Sequence, residues 1–324
     1  MKRIIALVVA GFLAACDSGS NPRQPSSLVR VRLQLNWVPE PEFGGIYAAE
    51  RAGFFKDEGL DVEIIKGGPG VAAPQLAASG QVEFAVVSGD QVLTLREAGG
   101  ELVAVYASFQ SDPMGVMVHE ASEFRSMEEL WKSDATVACE TNLPFVAMLN
   151  EKFGGKNLKF VPHQGSVAQF AANPKLAQQC FVFAEPVSLE LKGIKTRVFP
   201  TSASGYDPYN VVIATNAQYA REYPETVRKL ARALARGWQS YLDEPGPTNE
   251  RMAAANPAMK KDAMDLAASK QASLITSADT AALGLGAMTS ARWTTLASQL
   301  KDLGKIKSIP TATDVFVWSS ALPQ

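Results

Sequence analysis

The alternation of apolar and polar residues between positions 29 and 37 predicts a β-strand. Its apolar positions recur at every second residue, at Val29, Val31, Leu33, Leu35 and Trp37. This period is typical of a strand with one buried face and one polar face. The next segment, GGIYAAERAGFF, has apolar residues at helical spacing, and LDVEIIKGG returns to a strand pattern. This part of the chain is therefore a strand–helix–strand unit.

The same alternation of strands and helices continues along the chain. The helix VAAPQLAASG precedes the strand VEFAVVSGD, and the helix QVLTLREAGG precedes the strand ELVAVYASF. A second cycle has strands in MGVMVHE, ATVACE, LKFVPH, CFVFAEP and TRVFPTS. A further strand, NVVIAT, follows. From Pro224 onward the pattern is helical, and proline is favoured at the first position of a helix. Strands that alternate with helices predict parallel α/β sheets, here in two units with a helical C-terminal region.

The residues MKRIIALVVAGFLAAC have the pattern of a bacterial lipoprotein signal. Two basic residues precede an apolar run that is too short to cross a bilayer as a mature helix. The ending LAAC resembles a lipobox, so we expect residues 1–16 to be a signal peptide and Cys16 to receive lipid. The alternative is an ordinary cleavable signal with a chance cysteine. Residues 17–28 then form a flexible tether, and Asp17 resembles an inner-membrane retention signal.

Composition and charge exclude several classes of partner. The chain has 324 residues, with 31 basic and 33 acidic side chains and a net charge of −2. This balance indicates neither nucleic-acid binding nor a polybasic membrane surface. Beyond the signal, no apolar run approaches the ~20 residues of a membrane helix. His119 and His163 lack the spacing of metal ligands, and we expect no metal and no cofactor.

Two cysteines lie beyond the signal. Cys139 falls near the end of its predicted strand, and Cys180 falls at the start of its own. In neighbouring parallel strands those ends lie farther apart than the ~7 Å between Cα atoms that a disulfide allows. We therefore expect two free, buried thiols.

Several stretches together resemble one family of transport proteins. They are NWVPEPEFGGIYAAERAGFFKDEGLDVEI, a Gly-Gly-Pro-Gly turn, LAASGQVEFAVVSGDQVLTLREAG and VYASFQSDPMGVMVHE. These stretches resemble the NMT/THI-like solute-binding proteins of ABC transporters, which capture thiamine-pyrimidine precursors. Fungal pyrimidine synthases are related to the same family. The resemblance covers residues 29–215 and is densest before Glu120.

The resemblance implies a type II periplasmic-binding fold, in which two α/β lobes joined by a two-strand hinge close on a ligand. We expect residues 29–110 and 205–324 to form lobe 1 and residues 111–204 to form lobe 2. The stretch LWKSDA departs from the family because it lacks a glycine that members often carry before a strand of the second lobe. The chain also lacks the cysteine cluster of the pyrimidine synthases. An enzyme would need a nucleophile, a base or a metal set, and the sequence shows none.

The loop NWVPEPEFGG is the first candidate for a wall of the site. Ligands of open α/β sheets bind beyond the carboxyl ends of the strands. Trp37 offers a flat face for a heteroaromatic ring, although its phase in the strand also allows core packing. Asn36 points the opposite way, so one of the two is expected to contact the ligand. Gly44 allows close approach of the backbone, whereas Glu40 and Glu42 are expected to be solvated or to face the hinge.

Two more strand ends in the first lobe provide candidates. Gly67 and Gly68 follow the second strand, where glycines permit close approach of a ligand. Ser88 follows the third strand, and the alternative there is that Asp90 simply caps the next helix. Gln110 ends the fourth strand at the expected hinge.

The second lobe and the returning hinge supply the remaining candidates. Asn142 follows a strand, and it or Thr141 is expected to cap a helix whose backbone N–H groups face the cleft. Glu185 matches a glutamate of the family and can accept hydrogen bonds from the amino group of a heteroaromatic ring. The alternative for Glu185 is a solvated turn. Tyr206 and Tyr209 could add contacts from the hinge.

The sequence therefore favours a lipid-anchored, monomeric receptor on the periplasmic face of the inner membrane. It would bind a small, flat nitrogen heterocycle, with a thiamine-pyrimidine precursor as the first candidate. An ABC permease would be its partner. The alternatives are an enzyme of the pyrimidine-synthase type, a receptor for riboflavin or a sulfonate, and a sensory or chaperone lipoprotein with the same fold.

Overall fold

The structure, a computed structural model, describes residues 28–140 and 143–317. The predictions for the signal peptide, Cys16, Asp17 and nearly all of the tether, and those for Thr141 and Asn142, lie outside the described residues. Among the residues that are described, no helix combines the length and the apolar character needed to cross a membrane.

The described residues form two five-stranded sheets with helices packed on them. The strands are β1 (Val29–Gln34), β2 (Leu60–Ile65), β3 (Phe84–Val87), β4 (Leu102–Phe109), β5 (Met114–His119), β6 (Thr136–Cys139), β7 (Lys159–Pro162), β8 (Leu176–Phe181), β9 (Thr196–Pro200) and β10 (Asn210–Asn216). The first sheet has the order β2-β1-β3-β10-β4, and the second has the order β7-β6-β8-β5-β9. This arrangement confirms the prediction of two α/β units.

The helices cover both sheets and continue through the C-terminal region. They are α1 (Gly44–Arg51), α2 (Phe54–Asp57), α3 (Ala73–Ala78), α4 (Gly89–Glu97), α5 (Met127–Trp131), α6 (Pro144–Phe153), α7 (Ala168–Ala172), α8 (Glu185–Glu190), α9 (Ala217–Glu222), α10 (Pro224–Asp243), α11 (Gly246–Ala255), α12 (Lys261–Ile275), α13 (Ala278–Leu283), α14 (Ser290–Asp302) and α15 (Ala312–Val315). Two short 3₁₀ helices lie at Pro41–Phe43 and Ser202–Ser204. The prediction of a helix that begins at Pro224 is confirmed.

The sequence pattern predicted parallel sheets, but both sheets contain antiparallel strand pairs. Strand β10 pairs antiparallel with both β3 and β4, and β5 pairs antiparallel with β8 and β9. The reason is topological: the chain leaves the first sheet after β4, builds the second sheet, and returns to insert β10 between two strands formed much earlier. Periodicity along the chain carries no information about this insertion.

The region around Pro174 differs from the sequence prediction. The stretch SVAQFAANPKLAQQ, whose pattern predicts a broken helix, is helical only over Ala168–Ala172, and β8 begins at Leu176. Proline disfavours the helical conformation of the residue before it. Residues 176–180 are all buried, with Gln178 and Gln179 among them. A fully buried strand shows no alternation, so its residues could not be separated from a helix by periodicity.

Cys139 and Cys180 are free and buried, as predicted, but the geometric reason was wrong. Cys180 lies near the end of β8, not at its start. In the parallel pairing of β6 with β8, Ala138 lies opposite Gln178, so Cys139 is beside Gln179. Cys180 is one residue further along and therefore points to the other face of the sheet. The two thiols accordingly pack in different apolar clusters.

Close contact between α1 and α10 holds the first lobe together. Three glycines allow it: a Cβ on Gly44 would lie 2.1 Å from the Tyr241 ring, one on Gly45 would lie 2.3 Å from Trp238, and one on Gly237 would lie 2.2 Å from the backbone oxygen of Gly45. The polar face of α10 forms ion pairs, among them Arg232 with Glu58 at 2.6 Å.

We expect Gly237→Ala to lower the free energy of unfolding by about 2 kcal/mol, because the added methyl overpacks a contact with backbone that cannot move aside. This loss should exceed the ~1 kcal/mol that alanine gains over glycine inside a helix. Urea unfolding measures the difference. Gly246→Ala is the matched control, since its Cβ would meet only the Lys261 ammonium, at 3.9 Å. Equal stability of Gly237→Ala and the native chain would contradict the packing.

Candidate ligand-binding cleft

A cavity of about 130 Å³ lies between the two sheets. Residues that precede or begin helices of the first lobe line one wall: Asn36, Trp37, Glu40, Glu42, Ser88 and Gln91. Residues at the carboxyl ends of strands in the second lobe line the opposite wall, among them Glu140, Leu143, His163, Gln179, Phe181 and Glu185. Met114, Asn210 and Val211 close the back, where the chain crosses between the sheets.

The loop after β1 places Trp37 at the edge of the core, beside this cavity. Strand β1 ends at Gln34, three residues earlier than the alternation predicts. The Gly67 N–H donates to the backbone oxygen of Trp37 at 3.0 Å. A Cβ on Gly67 would lie 2.3 Å from the Leu35 oxygen, so only glycine permits this approach. Trp37 is consequently only partly buried: it packs against an apolar core cluster and also borders the cavity.

Trp37 also reaches the opposite lobe. Its ring lies about 3.1 Å from the position that a Cβ on Gly165 would occupy, and Pro69 lies 3.2 Å from the same point. Gly165 has a φ of +68°, a conformation that glycine adopts readily. The two lobes therefore touch where the Trp37 ring of the first lobe meets the backbone of Gly165 in the second lobe.

The two acids that follow Trp37 are part of the wall. Glu42 is only 3% exposed, and Glu40, partly buried, borders the cavity. Glu40 and Glu42 were expected to be solvated or to face the hinge, and the first of these alternatives is wrong. The cause is the 3₁₀ turn Pro41–Phe43, which runs directly into α1 and holds Glu42 in its first turn with the side chain directed inwards.

Glu185 faces these acids from the second lobe. It occupies the first turn of α8, and its carboxylate accepts a hydrogen bond of 2.8 Å from the Phe181 N–H. Phe181 lines the cavity beside it. The position just beyond β8 agrees with the general location of ligand sites in α/β sheets.

Burial raises the pKa values of these carboxyls. It raises the pKa of Glu40 to about 8, with a contribution from the nearby Glu185 charge, and that of Glu185 to about 7. Burial, together with Glu40, raises the pKa of Glu42 well above its usual range. Burial lowers the pKa of His163, so this ring brings no positive charge. Among the described residues that line the cavity there is no lysine or arginine.

Several residues proposed from the sequence lie elsewhere. Gly44 packs against Tyr241 in the helix contact described above. Gly67 supports the Trp37 loop, and Gly68 follows it with a φ of +155°; neither lines the cavity. Gln110 is buried and donates to the backbone oxygens of Ala107 and Ala287 at 3.2 and 3.0 Å.

Tyr206 and Tyr209 brace the crossing segments. The Tyr206 hydroxyl donates to Asp90 at 2.7 Å, and the Tyr209 hydroxyl accepts from the Thr289 N–H at 3.0 Å. Both side chains are almost fully buried outside the cavity. The Asp90 carboxylate thus holds Tyr206 in place. Its other oxygen accepts a hydrogen bond from the Ser88 hydroxyl.

The buried carboxyl of Asp112 links the two segments that connect the sheets. Asp112, on the outgoing segment, accepts from the Asn210 amide at 2.7 Å and the Thr201 hydroxyl at 3.1 Å on the returning one. Burial raises its pKa to about 7. Beside it, Val211 has a φ of +47°, an uncommon value for a β-branched residue. Backbone strain of this kind is found at ligand clamps and switch regions.

Of the sequence-predicted residues, the structure brings together Asn36, Trp37, Ser88 and Glu185 around the cavity. Sequence reasoning missed Gln91, Glu140 and Gln179 and set aside Glu40 and Glu42. Glu140 directly follows β6, the same signal that selected Glu185, so it could have been found. Within the described residues, no group of three or more His, Cys, Asp or Glu side chains is arranged to hold a metal ion.

Two known proteins with similar sequences are named as binding proteins. The chain is 25% identical over 252 residues to the formylaminopyrimidine-binding protein of Halalkalibacterium halodurans, which spans 75% of this chain and 76% of that protein. It is 24% identical over 245 residues to the riboflavin-binding protein RibY of Chloroflexus aurantiacus, covering 72% of this chain and 68% of that one.

Solved structures share the fold at low identity. The periplasmic aliphatic sulphonate binding protein SsuA from Escherichia coli superposes with a TM-score of 0.63 at 12% identity, covering 92% of this chain and 94% of that chain. The ligand-binding component of an ABC-type import system from Staphylococcus aureus gives a TM-score of 0.67 at 10% identity, covering 90% and 97%. These likenesses confirm the periplasmic-binding-protein fold.

The family itself is shown by a match that covers more than half of the chain. Residues 40–247 match the family described as NMT1/THI5 like, and the named relatives are binding proteins. The chain therefore belongs to the NMT1/THI5-like family and has the fold of periplasmic binding proteins.

Proposed function

We propose that this chain is the lipid-anchored receptor of an ABC importer and captures a small, flat nitrogen heterocycle between its lobes. Residues 29–110 and 205–324 would move as lobe 1 and residues 111–204 as lobe 2, and the closed form would dock on a membrane permease. A thiamine-pyrimidine precursor is the leading ligand. The observation that carries this proposal is the cavity, which combines aromatic faces with carboxylates from both lobes.

Each part of the cavity has a role in holding such a ring. Trp37 supplies a flat face from lobe 1, and Phe181 supplies an apolar edge from lobe 2. Glu185 accepts hydrogen bonds from ring amino groups, which carboxylates bind strongly. Asn36 adds an amide: its Oδ1 is buried and has no hydrogen-bond partner among the described residues. An unpaired buried oxygen of this kind is costly, and a ligand N–H would satisfy it.

The alternatives differ in how well they fit the charge of the cleft. Riboflavin is also a flat nitrogen heterocycle, and one relative is named for binding it, so it remains the second candidate. A sulfonate fits poorly, because an anion prefers helix N-termini and basic side chains. Here Glu42 and Glu185 already occupy the first turns of two helices that border the cavity.

A thermal-shift screen against pyrimidines, thiamine, riboflavin and alkanesulfonates tests the ligand class. We expect a rise in Tm with at least one ring compound, because a ligand that binds only the folded state stabilises it. A rise with a sulfonate or an amino acid and with none of the ring compounds would contradict the proposal.

Replacing Trp37 with alanine should weaken binding of the ring compound identified in that screen several-fold, since stacking contributes roughly 1 kcal/mol beyond buried area. Isothermal titration calorimetry measures the change. Trp37→Phe, which keeps an aromatic face, should retain most of the affinity. Unchanged affinity with reduced stability in Trp37→Ala would assign this side chain to core packing instead.

Closure of the lobes predicts a separate effect at Gly165. In Gly165→Ala the new methyl would meet Trp37 and Pro69 across the cleft, so we expect a several-fold loss of affinity. The matched control is Gly193→Ala in the same lobe, which has a similar φ of +75° but no heavy atom of the described residues within 4 Å of its Cβ position. Both variants should lose about 1 kcal/mol of stability from the left-handed backbone.

Calorimetric titration of the two alanine variants separates these effects. If both variants bind with equal affinity, the contact between Trp37 and Gly165 plays no part in holding the ligand.

A further inference from the structure

The carboxylate of Glu42 has an unusual environment. It lies in the cleft, 3% exposed, and its Oε2 has no hydrogen-bond partner among the described residues. Polar side-chain atoms that are this deeply buried are nearly always hydrogen-bonded in native proteins. An ionised carboxylate without a partner costs several kcal/mol in such a place. A ligand that donates a hydrogen bond to Glu42 Oε2 would explain this unpaired atom.

The groups around Glu42 make its position less favourable still. Glu40 precedes it on the same loop, and Glu185 faces both from α8. The Tyr241 hydroxyl, on α10, is the other titratable group that senses the Glu42 charge, and it already donates to Asn249 at 2.7 Å. Glu140 adds a fourth carboxyl to the cavity wall. None of these groups is basic, burial lowers the pKa of His163 in the same cavity wall, and the described lining contains no lysine or arginine, so the wall supplies no counter-charge.

We propose that Glu42, together with Glu40 and Glu185, is a cation subsite, so that the ligand carries a positively charged amidinium- or ammonium-type nitrogen group. This inference rests on the proposed function and adds the charge of the ligand. A planar amidinium presents two N–H donors that match the two oxygens of a carboxylate. In a cleft from which water is excluded, one such group would satisfy Oε2 and balance the negative charge of the wall.

Proton release distinguishes this proposal from its alternative. In the empty cleft, burial favours the protonated forms of these carboxyls, with pKa values of about 8 for Glu40 and about 7 for Glu185. A cation must displace those protons to pair with carboxylates, so its affinity rises as the pH rises through this range. A neutral ligand that left the acids protonated would instead accept a hydrogen bond from them. It would release no protons and would bind more weakly at higher pH.

Benzamidine and benzamide are suitable probes, because they share one ring and shape and differ in charge. We expect benzamidine to bind at least about tenfold more tightly near neutral pH, a difference of about 1.4 kcal/mol. Calorimetry in two buffers of different ionisation enthalpy should show net proton release with benzamidine. Equal affinities, or binding of benzamidine without proton release, would overturn the proposal.

Variants locate the effect at Glu42. In Glu42→Gln the preference for benzamidine should fall to less than about threefold. Its Tm without ligand should be no lower than that of the native chain, because a neutral amide has no charge to desolvate. Glu250→Gln, an equal change in net charge at an exposed position on α11, should leave the preference unchanged. An undiminished preference in Glu42→Gln, or an equal loss in both variants, would overturn the subsite.

The outcomes also separate this proposal from the proposed function. If a neutral pyrimidine binds with dependence on Trp37 while benzamidine has no advantage over benzamide, the cation subsite fails and the receptor for a heterocycle stands. If putrescine binds with dependence on Glu42 while no ring compound binds, the cation subsite stands and the heterocycle proposal fails.

Discussion

The cleft is governed by the cost of removing carboxylates from water without a counter-charge. Glu42 and Glu40 reach the cavity from the first lobe, Glu185 reaches it from the second, and no lysine or arginine of the described lining accompanies them. In the closure that we propose, these carboxyls are brought together and desolvated at once, so closure without ligand is opposed. A ligand that supplies hydrogen-bond donors or positive charge would reverse this balance and would couple binding to the movement of the lobes.

The scaffold that holds this wall is built from close backbone contacts. Gly237 and Gly45 let α1 and α10 touch, which fixes the start of α1 and with it the turn that carries Glu42. Gly67 holds the loop that places Trp37 beside the cavity. At the back of the cleft, Asp112 joins the two crossing segments through Asn210 and Thr201. The glycines that support the scaffold are thus separate from the side chains that line the cavity, whereas Asn210 belongs both to the cavity wall and to the joined crossing segments.

The sequence predicted the architecture well and the site only partly. The alternation of strands and helices follows from local patterns, so both sheets and the helical region were foreseen. The direction of a side chain in a loop depends on distant contacts: Trp37 leaves the strand because of Gly67, thirty residues later. Gly44 carries the same sequence signal whether it serves a helix contact or a ligand. Glu42 was misjudged because acids are usually solvated, and only the turn before α1 shows that this one is not.

Difference infrared spectroscopy of the protein before and after benzamidine binding tests the central claim most directly, since it observes the carboxyl groups themselves. If Glu42, Glu40 and Glu185 pair with the cation, a carbonyl band of protonated carboxylic acid disappears on binding and carboxylate bands grow. The loss should be reduced in Glu42→Gln, which lacks one of the acids. An acid band that persists or strengthens in the complex would contradict the account, because it would mean that these glutamates act as neutral hydrogen-bond donors and not as partners of a cation.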